Sequence, residues 1–132
     1  ISSLPGNTGI GTLGKEAYKF VDFLMNSGQT FWQVLPLCPT SYGDSPYQSF
    51  STFAGNPYFI DLDLLCEQKL LKKSDYNKID WGKNPEKVYY DKLSANRLKV
   101  LRKAFNNFIP DEKFINFCND NSIDIYFRRK KR

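Results

Sequence analysis

Residues 15–35 read KEAYKFVDFLMNSGQTFWQVL and predict a helix that leads directly into a strand. In residues 15–27, apolar side chains recur at the spacing of an amphipathic helix, at Ala17, Phe20, Val21 and Leu24. Gly28 stands where a left-handed helix cap is expected. Residues 30–35 (TFWQVL) are β-branched, aromatic and almost continuously apolar, which is typical of a strand covered on both faces. A helix followed by a buried strand is half of a βαβ unit, so the pattern predicts the α/β fold class.

The composition favours a folded protein and excludes some kinds of catalytic and metal site. The chain has 132 residues, enough for one small domain or a piece of a larger one, and 16% are aromatic, which supplies ample core material. Histidine is absent, so histidine acid–base catalysis and histidine metal ligation are excluded for these residues. The three cysteines form no CxxC pattern, which favours core thiols in a reducing compartment. Apolar runs are too short to cross a bilayer, and because the chain begins at Ile1 in a loop-like segment, we expect a piece of a longer protein outside the membrane.

The net charge of +5 lies entirely at the C-terminal end. Residues 128–132 (RRKKR) account for all of it, and the rest of the chain is balanced. A nucleic-acid-binding domain would spread its basic residues over one face. We therefore favour a solvated or artefactual terminus over a targeting or nucleic-acid patch, and we expect no nucleic-acid partner.

Residues 36–57 predict an irregular loop, because prolines and glycines throughout the segment interrupt helices and strands. An irregular stretch of this length in a compact domain is usually functional. Aromatic side chains alternate in it with short polar ones, namely Tyr42, Tyr47, Phe50 and Phe53 with Asp44, Ser45, Gln48, Ser49, Ser51 and Asn56. Flat rings that cover the apolar face of a pyranose, beside groups that bond its hydroxyls, are what a sugar-binding surface needs.

The remaining residues predict short elements and helices. Residues 58–61 are a strand candidate and 62–71 have helical periodicity, while Asn84 and Pro85 form a helix start. Residues 88–108 predict one long helix with an apolar stripe at Leu98, Leu101, Phe105 and Phe108 and a solvated charged face at Lys87, Lys92, Arg97, Lys99 and Arg102. Residues 111–119 predict another helix, which would bury Phe114, Ile115, Phe117 and Cys118.

Any acid–base chemistry in this chain must use carboxylates, and Asp44, Asp61 and Asp63 lie in or near the irregular loop. Their spacing does not pair them as the two carboxyls of a retaining glycosidase would be paired. We favour turn or helix-cap roles for Asp61 and Asp63, and for Asp44 a turn and a substrate contact stay open. Single aromatic residues outside the loop predict packing roles, Phe31 and Trp32 in the core and Trp81 against a helix.

A longer sequence pattern in the loop points to a particular protein family more specifically than the composition does. The runs FWQVLPL at 31–37, YGDSPYQSFS at 42–51 and FAGNPY at 53–58 resemble the N-terminal signature of the 4-α-glucanotransferases, also called amylomaltases or disproportionating enzymes. The opening residues, with SLP at 3–5 and GIG at 9–11, resemble the loop after the family's first barrel strand. The close resemblance covers roughly the first half of the chain and is loose from Leu65 onward.

The resemblance implies a (β/α)₈ barrel, of which this chain would hold an incomplete N-terminal portion: residues 1–64 as a barrel segment, and 65–132 as a helical insertion with a basic tail. It also implies retaining transfer of α-1,4-glucan segments between maltooligosaccharides, in the cytoplasm, with no metal or organic cofactor. The family's three catalytic carboxylates come from later strands, so none is expected here. By match to the family's motif, Tyr47 lines the donor sugar site, Tyr42 belongs to a secondary glucan site, and Ser45 and Asp44 lie close to bound sugar.

Two departures qualify the resemblance. Cys38 stands where the family more often has glycine, and residues 123–132 do not continue as the family would. The sequence therefore predicts a 4-α-glucanotransferase segment that supplies part of a glucan-binding wall and is inactive alone. The alternatives are a non-catalytic glucan-binding remnant of a truncated gene and, from a third class, a nucleic-acid binder that depends on the tail.

Overall fold

The computed structural model describes residues 1–40, 43, 45, 47–51 and 53–121. Four helices carry most of the regular structure of these residues, α1 (Lys15–Asn26), α2 (Leu62–Glu67), α3 (Tyr90–Asn107) and α4 (Glu112–Asp120), with 3₁₀ turns at Pro57–Phe59 and Lys73–Asp75. In the described ranges β-pairing is limited to one antiparallel bridge between Thr40 and Ser49. Tyr42, Asp44 and the basic tail at 128–132 lie outside the described residues. No helix in the described part is long and apolar enough to span a bilayer.

The predicted helix at 15–27 and its glycine cap are confirmed. Helix α1 ends at Asn26, and Gly28 follows with φ +71°. The Gly28 N–H donates to the Met25 carbonyl at 3.0 Å and the Gln29 N–H to the Leu24 carbonyl at 2.9 Å. This pair of bonds is the Schellman arrangement, in which a residue without a Cβ takes the left-handed position.

The predicted buried strand at 30–35 is wrong for this chain. The segment is extended, but no ladder partner for it occurs in the described ranges, and the Phe31 side chain is 91% exposed. Trp32 is half-buried against the Phe20 ring, with the centroids 4.9 Å apart. A parallel strand forms hydrogen bonds with neighbouring strands, and the described residues supply none. Residues 30–35 therefore have the apolar pattern of a buried strand but no strand pairing.

The strand predicted at 58–61 is also wrong. The Asn56 Oδ1 accepts the Tyr58 N–H at 3.0 Å and starts the 3₁₀ turn at Pro57–Phe59. An asparagine cap followed by proline favours a helical start, and here it prevails over the β-propensity of the aromatic residues that follow. The helix predicted at 62–71 is present but shorter, because α2 ends at Glu67 and Lys69 adopts φ +61°.

Helix α3 begins later than predicted and buries a different face. The Asn84 side chain accepts the Glu86 N–H at 2.8 Å in a local turn, and the helix starts only at Tyr90. Its buried residues are Leu93, Arg97, Val100 and Ala104. The predicted apolar stripe is wrong at two of its positions, since Leu98 is 50% and Phe105 is 71% exposed. The predicted solvent role of Arg97 is wrong as well, because its side chain is completely buried.

The core joins the N-terminal loop to the second half of the chain. Its buried members are Ile10, Leu62, Leu71, Tyr76, Trp81, Leu93, Val100 and Ala104. Trp81 packs against α3, as predicted, and its indole N–H donates to the Tyr76 carbonyl at 3.2 Å. The predicted burial of α4 is wrong for three of its four residues: Phe114, Ile115 and Phe117 are exposed and only Cys118 is half-buried, although Phe108 and Phe114 meet edge to face at 5.1 Å.

Candidate functional site

The loop predicted at 36–57 is irregular throughout its described residues up to Asn56, and hydrogen bonds close its base. The Asn56 N–H donates to the Leu37 carbonyl at 2.7 Å, and the Thr40–Ser49 bridge narrows the loop above that point. The Ser51 Oγ accepts the Ala54 N–H at 3.1 Å. These bonds satisfy backbone groups at the base of the loop and near Ser51 without a helix or a strand ladder.

Two of the four predicted site residues share one turn in this loop. The Gln48 N–H donates to the Ser45 carbonyl at 3.1 Å, which places Tyr47 inside the turn. The Tyr47 side chain is 74% exposed, and Phe50 and Phe53 are exposed beside it in the sequence. The other two predicted residues, Tyr42 and Asp44, lie outside the described residues. The described part of the loop therefore presents aromatic surface to solvent.

The carboxylates nearest the loop have structural partners. Asp61 caps α2, since its Oδ1 accepts the Leu64 N–H at 2.9 Å and its Oδ2 accepts the Thr12 hydroxyl at 2.5 Å. Asp63 accepts the Tyr76 hydroxyl at 2.6 Å. Burial of Tyr76 and the Asp63 carboxylate beside it raise the pKa of the Tyr76 hydroxyl, which therefore stays protonated as a donor. The predicted cap role is confirmed for Asp61, and Asp63 anchors a tyrosine.

Arg97 is the polar residue that sequence reasoning missed. Its Nη1 donates to the Thr8 carbonyl at 3.2 Å, and its Nη2 donates to the carbonyls of Tyr58, at 3.2 Å, and Ile60. Its Nε has no hydrogen-bond partner among the described residues, and the guanidinium lies 5.8 Å from the centroid of the Trp81 ring. Burial lowers the pKa of Arg97 to about 10, partly offset by the Asp61 charge, so the group is a cation at neutral pH.

One cleft in the described part of the chain is lined by residues outside the loop at 36–57. It has a volume of about 880 Å³ and opens between residues 2–11 and residues 81–88. Neither Ser45 nor Tyr47, the two predicted site residues that the structure describes, lines it. Among the described residues there is also no group of three or more histidine, cysteine, aspartate or glutamate side chains arranged to hold a metal ion.

Comparison with known proteins decides the family. The family model described as 4-alpha-glucanotransferase matches residues 1–126. The chain belongs to this family. The match extends far beyond the first half of the chain, in which the motifs lie.

Sequence alignments with relatives in this family cover nearly the whole chain. A 4-alpha-glucanotransferase of Clostridium butyricum is 58% identical over 122 residues, which are 91% of this chain and 25% of that protein. One from Streptococcus pneumoniae is 54% identical over 124 residues, 92% of this chain and 25% of that protein. The chain thus spans about a quarter of the length of the curated relatives that it matches.

A solved structure shows the same backbone fold. The amylomaltase from Streptococcus agalactiae, solved in complex with acarbose, superposes with a TM-score of 0.85 at 50% sequence identity. The match covers 96% of this chain and 26% of that amylomaltase. The arrangement of α1 to α4 is therefore the fold of this part of a 4-alpha-glucanotransferase.

Proposed function

We propose that this chain forms part of the glucan-binding wall of a retaining 4-α-glucanotransferase, which transfers α-1,4-glucan segments between maltooligosaccharides. Membership of the family supports the reaction class. The acarbose complex of the Streptococcus agalactiae amylomaltase supports a sugar-like ligand for this fold. The proposed reaction uses no metal and no organic cofactor.

The observation that carries the proposal is the exposure of Tyr47 on an anchored loop. The Tyr47 ring is 74% exposed, so its apolar face is accessible to a ligand. The apolar face of a glucose unit suits such a ring, while the Ser45 hydroxyl in the same turn can bond the sugar's hydroxyls. Tyr42 and Asp44 complete the proposed wall, Tyr42 at a secondary glucan site and Asp44 close to bound sugar.

The proposal assigns no catalytic carboxylate to this chain. Asp61 is committed to a helix cap and to Thr12, and Asp63 to Tyr76. A nucleophile needs an unobstructed oxygen facing the sugar carbon that it attacks, and these contacts support purely structural roles. The 132 residues alone are therefore expected to be inactive in transfer.

The exposed segment at 30–37 fits the proposed incomplete (β/α)₈ barrel. Its apolar residues, including Phe31 and Leu35, are exposed, as expected for an extended segment of a barrel whose neighbouring strands are not among the described residues. In the same proposal residues 1–64 form the barrel segment, and residues 65–132 form the helical insertion and basic tail. We also propose a cytoplasmic location, which suits three cysteines that form no disulfide with one another.

Two assays on the 132-residue chain test the proposal. An NMR titration with maltoheptaose is expected to shift the resonances of Tyr47 and Gln48, with cellohexaose as the β-linked control. Incubation with maltotriose is expected to give no longer maltooligosaccharides. A folded chain that shows no shift would overturn the binding role, and elongation of maltotriose would overturn the assignment of catalysis to residues outside this chain.

A further inference from the structure

We propose that Arg97 is a positioning residue for the glucan-binding loop, acting from helix α3 through the backbone at the loop's base. Its effect on glucan binding rests on the function proposed above. Arg97 does not lie in the loop, and its side chain is completely buried, so it acts through other residues and not by touching sugar.

The guanidinium joins two separate segments of backbone to α3. It donates to the Tyr58 and Ile60 carbonyls at the end of the loop, and to the Thr8 carbonyl in the N-terminal segment. Because the guanidinium is planar and rigid, its donors fix these carbonyls relative to one another. A lysine ammonium has a different donor geometry and cannot reproduce the fork.

Hydrogen bonds continue from Arg97 to the foot of the loop. Tyr58, whose carbonyl Arg97 holds, donates its N–H to the Asn56 Oδ1 at 3.0 Å. The Asn56 N–H in turn donates to the Leu37 carbonyl at 2.7 Å and closes the loop. Asn56 is itself buried, so these bonds are shielded from water. The position of the described residues between 38 and 55, including Tyr47, therefore depends on a loop base that Arg97 holds in place.

A residue that merely stabilised the fold would behave differently. Loss of stability lowers the unfolding midpoint but leaves glucan affinity unchanged at temperatures where the chain remains folded. Val100 offers a matched control, because it is buried on the same face of α3 and belongs to the core cluster. Val100→Ala removes packing volume without removing a donor from the loop base.

The test compares Arg97→Met with Val100→Ala in the full 132-residue chain, below the unfolding midpoint of both. Two quantities are measured, amide hydrogen exchange at Asn56 and Tyr58, and the Kd for maltoheptaose. With Arg97→Met, we expect faster exchange at both amides and an affinity for maltoheptaose that is weaker by about tenfold. A loss of this size corresponds to a loop that adopts its binding conformation in about a tenth of the molecules. Val100→Ala is expected to keep the wild-type Kd and wild-type exchange at these amides. Arg97→Lys should behave like Arg97→Met.

The inference is overturned if Arg97→Met keeps both wild-type values, or if Val100→Ala changes them equally. Should Arg97→Met not fold, Asn56→Ala breaks the same path while leaving Arg97 in place. An unchanged Kd in folded Asn56→Ala would then overturn the inference, and a weakened Kd would support it. If the wild-type chain binds no maltoheptaose, the proposed function fails, and amide exchange alone decides whether Arg97 holds the loop base.

Discussion

The Arg97 guanidinium donates to the Thr8 carbonyl at 3.2 Å across 89 positions of sequence. This bond ties helix α3 to the N-terminal loop, and Ile10 and Leu93 reinforce the connection from within one hydrophobic core. The described residues before and after position 65 are therefore not independent. Substitutions on α3 should affect the whole folded unit, including the base of the loop at 36–57.

The buried face of α3 can be tested by truncating one residue on each side of the helix. Leu93 is completely enclosed in the core, whereas Leu98 is half-exposed. Leu93→Ala is expected to lower the free energy of unfolding by about 3 kcal/mol, because it removes buried methyl groups and leaves a cavity. Leu98→Ala should cost less than about 1 kcal/mol. Urea unfolding followed by circular dichroism measures both, and equal losses would contradict the register of α3 described above.

Gly14 should be intolerant of a side chain. A Cβ at Gly14 would overlap the Asp61 carboxylate, which caps α2 and accepts the Thr12 hydroxyl. Gly14→Ala is therefore expected to displace Asp61 and to lower the free energy of unfolding by about 2 kcal/mol, the sum of a lost cap and a lost hydrogen bond. Gly55→Ala is the matched control, since a Cβ there meets open space. A result in which both alanines cost the same would refute the packing of Asp61 on Gly14.

The ion pair between Asp75 and Lys103 predicts part of the acid sensitivity. The Lys103 ammonium lies 2.6 Å from the Asp75 carboxylate, and this hydrogen bond, followed by the one from the Lys72 N–H, lowers the pKa of Asp75. A carboxyl with a depressed folded-state pKa adds stability above its usual pKa and loses it as the pH falls through the folded value. Lys103→Met should therefore lose less stability than the wild type between about pH 5 and about pH 3.

Acid titrations monitored by fluorescence measure this difference. Lys99→Met, at an exposed lysine on the same helix, should follow the wild-type profile. If Lys103→Met also retains the wild-type acid profile, the ion pair plays no part in acid stability.

Tyr47 should contribute to glucan affinity through its ring. Tyr47→Ala is expected to weaken maltoheptaose binding about tenfold, or about 1.4 kcal/mol, while Tyr47→Phe keeps most of the affinity because the apolar ring remains. Phe105→Ala provides the control, since Phe105 on α3 is about as exposed as Tyr47 but lies outside the loop. NMR titration of the three variants measures these affinities. Equal weakening by Tyr47→Ala and Phe105→Ala would indicate a nonspecific loss of apolar surface.

Local sequence signals predicted the local structure well. Helix α1 and its Gly28 cap depend on residues that are neighbours in the chain, and both are confirmed. The turn at Pro57–Phe59 also has a local signal, since Asn56 is an asparagine cap followed by proline. The β-propensity of the aromatic residues drew the prediction toward a strand instead.

Features that depend on distant partners were not predictable. The apolar pattern at 30–35 is that of a buried strand, but pairing requires neighbours that the described residues do not contain. Arg97 was assigned to solvent because it is charged, yet the three carbonyls that it binds lie 37 to 89 positions away in sequence. The spacing of Leu93, Arg97, Val100 and Ala104 is helical, and only tertiary structure shows that this face is the buried one.

The family resemblance assigns sugar-binding roles to particular loop residues, which the fold alone does not do. Tyr47 and Ser45 were singled out from the loop's composition and from the motif, and the structure places them in one turn. Their role in binding sugar stays a prediction, as do the roles of Tyr42 and Asp44. The structure shows that Tyr47 is exposed on a hydrogen-bonded turn, and binding measurements test whether glucan contacts it.

A chimera tests the proposed role of this chain most directly. In it, the 132 residues replace the matching quarter of the Streptococcus agalactiae amylomaltase, which is 50% identical to them. The account predicts that the folded chimera converts maltotriose into longer maltooligosaccharides, and that Tyr47→Ala within it lowers kcat/KM about tenfold or more. A folded chimera without transfer activity, or one that Tyr47→Ala leaves unchanged, would contradict the claim that this chain forms a working part of the glucan-binding wall.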